Sequence, residues 1–359
     1  MGSAPGYGMR MAELDMAGGD KSQMLILGVE TSCDETAAAI LRAPDELLSN
    51  VVSSQVVFHR PFGGVVPEVA SRKHMEWIVP VIREALQKAQ VGLSDLHGIG
   101  VTQGPGLVGS LLVGLSAAKA ISYALGLPLV GVNHLEAHIA AAYLEHPELK
   151  PPFVALVVSG GHTALYEVGD SGTIRLMGRT RDDAAGEAFD KVAKILGLGY
   201  PGGPEIERAA GGGSPDAVSF PRAMSEESTL EFSFSGLKTS VLHHVRENCL
   251  PPLDPETVSN IAASFQEAVV DVLVQKTLLA AERLDLCRVV ITGGVACNGR
   301  LREKMIQLAR ERGVDVFFPS AELCTDNAAM VARAAYDHLR AVPGGVDLSM
   351  DARSRWSMW

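Results

Sequence analysis

The sequence predicts an α/β protein built as two like-folded lobes with a ligand cleft between them. Residues 24–41 read as an apolar strand, a small polar turn and a second strand, and residues 153–168 repeat that plan. Such a coarse duplication predicts two related lobes and places a ligand where they meet. At 359 residues, 47% apolar and 20% charged, the chain is long enough and apolar enough for two full cores and is not disordered in character.

Composition excludes several classes. No apolar run reaches the ~18–20 uncharged residues that span a bilayer. The longest, residues 107–127, is broken by Gly109, Gly114, Lys119 and Gly126 and reads as a buried helix. Residues 1–23 are rich in Gly and Met, lack a signal-type apolar core and carry few arginines, so they read as a disordered tail or an expression leader. The five cysteines, Cys33, Cys249, Cys287, Cys297 and Cys324, form no C-x-x-C pair, which points to a reducing compartment and a cytoplasmic protein. A net charge of −11 is a poor footprint for holding nucleic acid unaided, so action on RNA requires a local basic patch or a basic partner.

In chain order, residues 24–30 form the opening strand and run into Thr31-Ser32-Cys33-Asp34-Glu35-Thr36, a turn whose backbone N–H groups suit phosphates. Asp34 and Glu35 are either catalytic acids or solvated turn residues. Residues 73–90 carry Ile78, Val81, Ile82, Ala85 and Leu86 at helical spacing, an amphipathic helix against a sheet. Residues 99–102 are a short strand entering a glycine turn that lacks the Gly-Lys-Ser/Thr of a Walker A loop. After a strand end at 127–130, the Ala-rich stretch from Gly131 reads as a helix bearing His134 and His138. Two histidines four apart lie on one helix face about 6 Å apart, suited to one divalent ion, although an isolated His-x-x-x-His is more often two ordinary histidines.

Lys150-Pro151-Pro152 marks a boundary before the second lobe. His162, in a Gly-rich turn, is harder to explain as core than a mid-helix histidine would be. Asp190 on a helix, and Glu207 just past the turn at 198–204, have the chemistry to accept ribose hydroxyls; either is otherwise a solvated charge. Residues 261–284 are a long amphipathic helix. The strand 288–292 ends in Gly293 and Gly294, where the missing Cβ lets a purine approach the backbone, and Asn298 offers an amide donor and acceptor. Residues 316–319 are a last strand. Asp326 stands near the start of a final helix, as its cap or as a third metal ligand.

Taken together, residues 28–36 (GVETSCDET), 133–138 (NHLEAH), 158–163 (VSGGHT), 186–191 (GEAFDK), 200–204 (YPGGP), 234–239 (FSGLKT), 293–296 (GGVA) with Asn298, and 325–327 (TDN) resemble the tRNA N6-adenosine threonylcarbamoyltransferase family, formerly called O-sialoglycoprotein endopeptidases. The motifs fall in order over about residues 24–340, and the FSFSGLKT stretch is similar to the bacterial and organellar branch; without a transit peptide, the bacterial one is favoured. The resemblance implies a two-lobed actin-like ATPase (ribonuclease H-like) fold. One lobe would be residues 24–149 plus a helix at 324–342, the other 150–323, with 343–359 a tail. It implies transfer of the threonylcarbamoyl group of threonylcarbamoyl-AMP to N6 of adenosine 37 in tRNAs reading ANN codons. It implies that His134, His138 and Asp326 hold one divalent metal, Fe2+ before Zn2+. Val158, Ser159, Gly160, Gly161, His162, Asp190, Gly203, Glu207 and Asn298 would line the adenylate (ATP-type nucleotide) site. The implied partners are tRNA, a smaller paralogue resembling the N-terminal lobe, a P-loop ATPase, and a separate threonylcarbamoyl-AMP synthase, with no membrane.

The donor is a mixed anhydride with a good leaving group, so no protein nucleophile is needed; positioning and carbonyl polarisation dominate, with Asp34 or Glu35 orienting the amine or taking its proton. Three rivals remain. A zincin metalloprotease requires His-Glu-x-x-His, but Leu135 follows the first histidine here. A small-molecule kinase of the same fold should lack the His/His/Asp set, and a regulatory ATP-binding scaffold would show no turnover.

Overall fold

The alternation of apolar positions along the strands sorts into two separate sheets, each covered on both faces. The computed structural model describes residues 23–358 apart from 171, 225–228, 251, 342–345 and 347; the expected leader, except Gln23, lies outside them. In the first lobe, β1 (Leu25–Glu30), β2 (Glu35–Arg42) and β3 (Glu46–Ser54) form an antiparallel meander. β4 (Gly98–Gly104) and β5 (Leu129–Asn133) extend it in parallel, giving the order β3-β2-β1-β4-β5. The second lobe repeats the scheme. β6 (Phe153–Val158), β7 (Thr163–Val168) and β8 (Ile174–Arg179) are the meander, and β9 (Arg288–Thr292) and β10 (Asp315–Phe317) are parallel, in the order β10-β9-β6-β7-β8. The duplicated actin-like plan expected from the sequence is present. The third strand of each meander was not anticipated.

The helices are α1 (Val56–His59), α2 (Pro67–Ala89), α3 (Val108–Leu125), α4 (His134–Ala140), α5 (Ala142–Glu145), α6 (Ala185–Ile195), α7 (Gly202–Ala210), α8 (Ser235–Asn248), α9 (Pro255–Leu284), α10 (Gly299–Glu311), α11 (Ala321–Cys324) and α12 (Ala328–Ala341). On the first sheet, Leu27, Val29, Ala38 and Ile40 pack against α2 and α3, while Ile26, Ala37, Ala39 and Leu41 pack against α12. This is the period-2 pattern of a strand buried on both faces. The chain's last helix therefore returns to close the first lobe. Among the described residues, α3 is the one helix long and apolar enough to cross a bilayer; here it buries Leu111, Leu115 and Ala118.

The second sheet presents Val154, Leu156 and Val158 to α6 and α9. Its opposite face, with Phe153, Ala155 and Val157, receives Leu135 and Ile139 of α4. The histidine-bearing helix is thus the element wedged between the lobes. Beyond α12 the chain turns back along the first lobe: Arg353 N–H donates to Gln103 O (2.8 Å), Gln103 Nε2 to Asp351 O (2.8 Å) and Asn133 Nδ2 to Trp356 O (3.3 Å).

Candidate active site

Parallel strands β1, β4 and β5 end side by side, and the turns leaving them build one half of the site. Asn133, the last residue of β5, caps α4 by accepting from Leu135 N (2.9 Å), so the helix begins at His134. His138 follows one turn later, with ring centroids 4.7 Å apart. Asp326 arrives from the other end of the chain. The expected alternative, that Asp326 caps the last helix, does not hold: Asn327 Oδ1 accepts from Met330 N (3.0 Å), and its amide donates to Thr325 O (2.7 Å). Asn327 pins the turn, and the Asp326 carboxylate is left facing the histidines.

The Asp326 Oδ1 atom lies 3.1 Å from His138 Nε2 and 3.6 Å from His134 Nε2. One ligand atom from each of the three residues falls within 4.8 Å of the others. Ligands about 2.1 Å from a tetrahedral ion are separated by about 3.4 Å, so this donor set fits one divalent cation. The surroundings are short of positive charge, with Glu30, Asp34, Glu35 and Asp326 gathered here. Burial works against a charged His134, but the Asp326 and Glu30 carboxylates outweigh it and push the imidazole up to about 9. Asp326 is held below the usual carboxylate range, with burial overridden by His134 and His138.

Glu136, between the histidines, points elsewhere and pairs with His338 of α12 at 2.7 Å. It cannot serve as the base of a zincin. Glu35 is raised well above the usual carboxylate range by burial, with the Asp34 and then the Asp326 charges adding, and accepts from Ser54 Oγ (3.0 Å). Asp34 is buried beside it.

The other half of the site comes from the second lobe. Ser159 N donates to His162 O (2.8 Å), and His162 N to Ser159 Oγ (3.2 Å), closing a tight turn between β6 and β7. The His162 ring centroid lies 6.3 Å from that of His134, which joins the two halves. Burial, with His134 and His138 adding, pushes this imidazole down to about 4, so it is neutral. A Cβ added at Gly160, Gly161, Gly203 or Gly294 would meet no atom within 4 Å, so these turns face open space. Val158 is core and can offer only backbone.

Asp190 Oδ1 accepts from Gly202 N (2.7 Å), holding the turn that presents Gly203; burial pushes this carboxyl up to about 6. Glu207 Oε1 accepts from Gly299 N (2.8 Å), which brings α7 to the start of α10. Asn298 differs from its expected use. Its Oδ1 caps α10 at Leu301 N (3.0 Å), and its Nδ2 donates to Gln266 Oε1 (2.8 Å), so the amide shapes the turn from within. Arg60 Nε bridges the lobes by donating to Tyr200 O (3.2 Å). Sequence reasoning gave no role to Glu30; the signal was an acidic residue ending an otherwise apolar strand.

A family model described as tRNA N6-adenosine threonylcarbamoyltransferase (TsaD) matches residues 46–333. The chain belongs to this family. A relative of that name from Syntrophobacter fumaroxidans is 56% identical over 338 residues, covering 93% of this chain and 100% of the relative. One from Geobacter sulfurreducens is 56% identical over 335 residues, covering 93% and 97%. Among solved structures, HypF in its phosphate- and nucleotide-bound form superposes with a TM-score of 0.59 at 15% identity, covering 89% of this chain and 47% of the longer HypF chain. The likeness to HypF shows the actin-like ATPase fold alone. As a threonylcarbamoyltransferase, the chain is an acyltransferase that modifies N6 of adenosine in tRNA.

Proposed function

We propose that the donor is threonylcarbamoyl-AMP, that the acceptor is adenosine 37 of tRNAs reading ANN codons, and that His134, His138 and Asp326 hold one divalent cation, Fe2+ before Zn2+, at the reacting end of the cleft. The observation that carries this reading is the 6.3 Å approach of His162, from the open glycine turn, to His134 of the cation site. A nucleotide seated along Gly160, Gly161, Gly203 and Gly294 would extend its phosphate-linked acyl group toward that end. In the reaction, the N6 lone pair attacks the carbamoyl carbon and a C–N bond forms. The C–O bond to the phosphate breaks, AMP leaves with the electron pair, and N6 gives up a proton. The metal, when bound, would supply Lewis-acid polarisation and a template for substrate oxygens.

The chain's own groups supply the rest. Glu35, inclined to keep its proton, suits a hydrogen-bond donor, which leaves Asp34 to orient the amine or accept its proton. Neutral His162 can donate or accept without adding charge. Asp190 and Glu207 hold the turns around the nucleotide. Cytoplasmic location and partners follow the same reading: a synthase for the donor, a P-loop ATPase, and a smaller paralogue of the first lobe. The paralogue would dock on the face of α2 and α3 where Met75, Val79, Val108 and Leu112 are exposed. Such partners would also offset the charge of −11 on tRNA.

The test is a reconstituted reaction with unmodified ANN-reading tRNA, threonylcarbamoyl-AMP and these partners, with nucleosides read by mass. Threonylcarbamoyl-adenosine should appear and be lost on chelation. Turnover that survives complete metal removal would exclude the cation's role.

A further inference from the structure

We infer that Glu30 is a positioning residue that fixes the ring orientation and tautomer of His134, so that Nε2 faces the cation. The inference rests on the His134-His138-Asp326 reading above. Glu30 is the last residue of β1, fully buried, and its side chain lies under the ends of β4 and β5. Because β1 and β4 are neighbours in parallel register, with Val29 opposite Val101, Glu30 comes beside Thr102, and His134 begins the helix that leaves the adjacent β5. Glu30 Oε1 accepts from Ser32 N, and Oε2 accepts from Thr102 Oγ1, each at 2.5 Å. These two donors hold the carboxylate in one orientation, and Oε2 lies 3.3 Å from His134 Nδ1. Ser32 Oγ is 3.2 Å from the same nitrogen.

A carboxylate only accepts, so the His134 nitrogen facing it must carry the hydrogen. The neutral tautomer is then Nδ1–H, and the Nε2 lone pair is left toward Asp326. An outer carboxylate of this kind raises the basicity of a metal-binding imidazole and locks its plane. The two histidines differ here: among the described residues, His138 Nδ1 is buried without a hydrogen-bond partner. Orientation of the pair therefore depends on His134.

Glu30→Gln keeps the volume and can still accept from Ser32 N. Its amide N–H would face Nδ1 as a donor, which favours hydrogen on Nε2, where the cation must bind. The experiment uses metal-stripped full-length protein titrated with Zn2+ against a chromogenic chelator. Melting of the metal-free protein and 15N imidazole spectra of the zinc-loaded protein are recorded alongside. Glu30→Gln should melt near the wild type without metal, yet bind Zn2+ about 10–100-fold more weakly. Wild-type spectra should show His134 bound through Nε2. Zn2+ affinity of Glu30→Gln within twofold of wild type would overturn the inference alone. A wild-type titration without one-to-one binding would overturn the cation reading and this inference with it. Should Glu30→Gln not fold, Thr102→Val carries the test: a threefold or greater loss of Zn2+ affinity supports the inference, and unchanged affinity overturns it.

Discussion

His138 illustrates how much one side chain carries at the residue scale. It is fully buried, its Nε2 is 3.1 Å from Asp326, and no other hydrogen-bond partner satisfies its ring among the described residues. His138→Ala should leave a folded chain that retains no stoichiometric metal and transfers on the order of 10²-fold more slowly or worse. Metal analysis beside the tRNA assay decides, and His134→Ala should behave alike. The acids are separable too. If Glu35 acts with its proton on, Glu35→Gln should cost less than about tenfold in kcat, while Asp34→Asn costs on the order of 10²-fold or more. Equal losses would remove that division of roles. Asp190 is pushed up to about 6 in the folded chain and returns near 3.9 when unfolded. Between about pH 4 and 6 the folded state therefore holds the extra proton, and this group's share of stability falls as pH rises. Without ligand, Asp190→Asn should gain stability over the wild type from pH 4 to pH 7, by up to about 3 kcal/mol. A difference in melting temperature that stays flat across that range would exclude the shift.

At the element scale, two glycines of the same chain do opposite work. Gly28, mid-β1, faces α12 so closely that an added Cβ would sit 2.2 Å from Ala328 O and 2.8 Å from Ala332 N. Gly28→Ala should lower stability by about 3 kcal/mol or more, because strand and helix backbones must separate. Gly161, in the turn after β6, has nothing within 4 Å. Gly161→Ala should melt as the wild type does yet raise KM for the adenylate donor at least about tenfold, since the methyl occupies ligand space. Thermal melts with KM measurements separate the two, and a destabilised Gly161→Ala with normal KM would reassign that turn to packing.

For the whole molecule, the candidate cation site is assembled from distant parts of the chain. α4 follows β5 in the first half, Asp326 precedes α12, and the return of residues 350–356 closes against Gln103 and Asn133. Removing residues 351–359 should lower the melting temperature by about 5 °C, since several backbone hydrogen bonds and the packing of Ala352 and Met358 are lost together. It should also weaken metal retention by loosening Asn133, the cap beneath His134. Unchanged melting would show that this segment is dispensable.

The local patterns were legible in the amino-acid order because they obey short-range rules. Strand alternation at 24–41 and 153–168, the Gly-rich turns and the four-residue spacing of His134 and His138 all follow from backbone geometry within a few residues. They determined the duplicated α/β architecture and the placing of two histidines on one helix face. What only the tertiary structure decided are the choices between uses of one polar group. Asn327 caps α12 and releases Asp326; Asn298 spends its amide on Leu301 and Gln266; Glu136 turns to His338; Glu30 comes to lie beneath His134. Each depends on a partner from 32 to 202 positions away or on which of two adjacent residues closes a turn. Hydrogen-bond capacity is a property of the residue, but the donor that claims it is set by which strand ends and helix starts the packed sheets bring together.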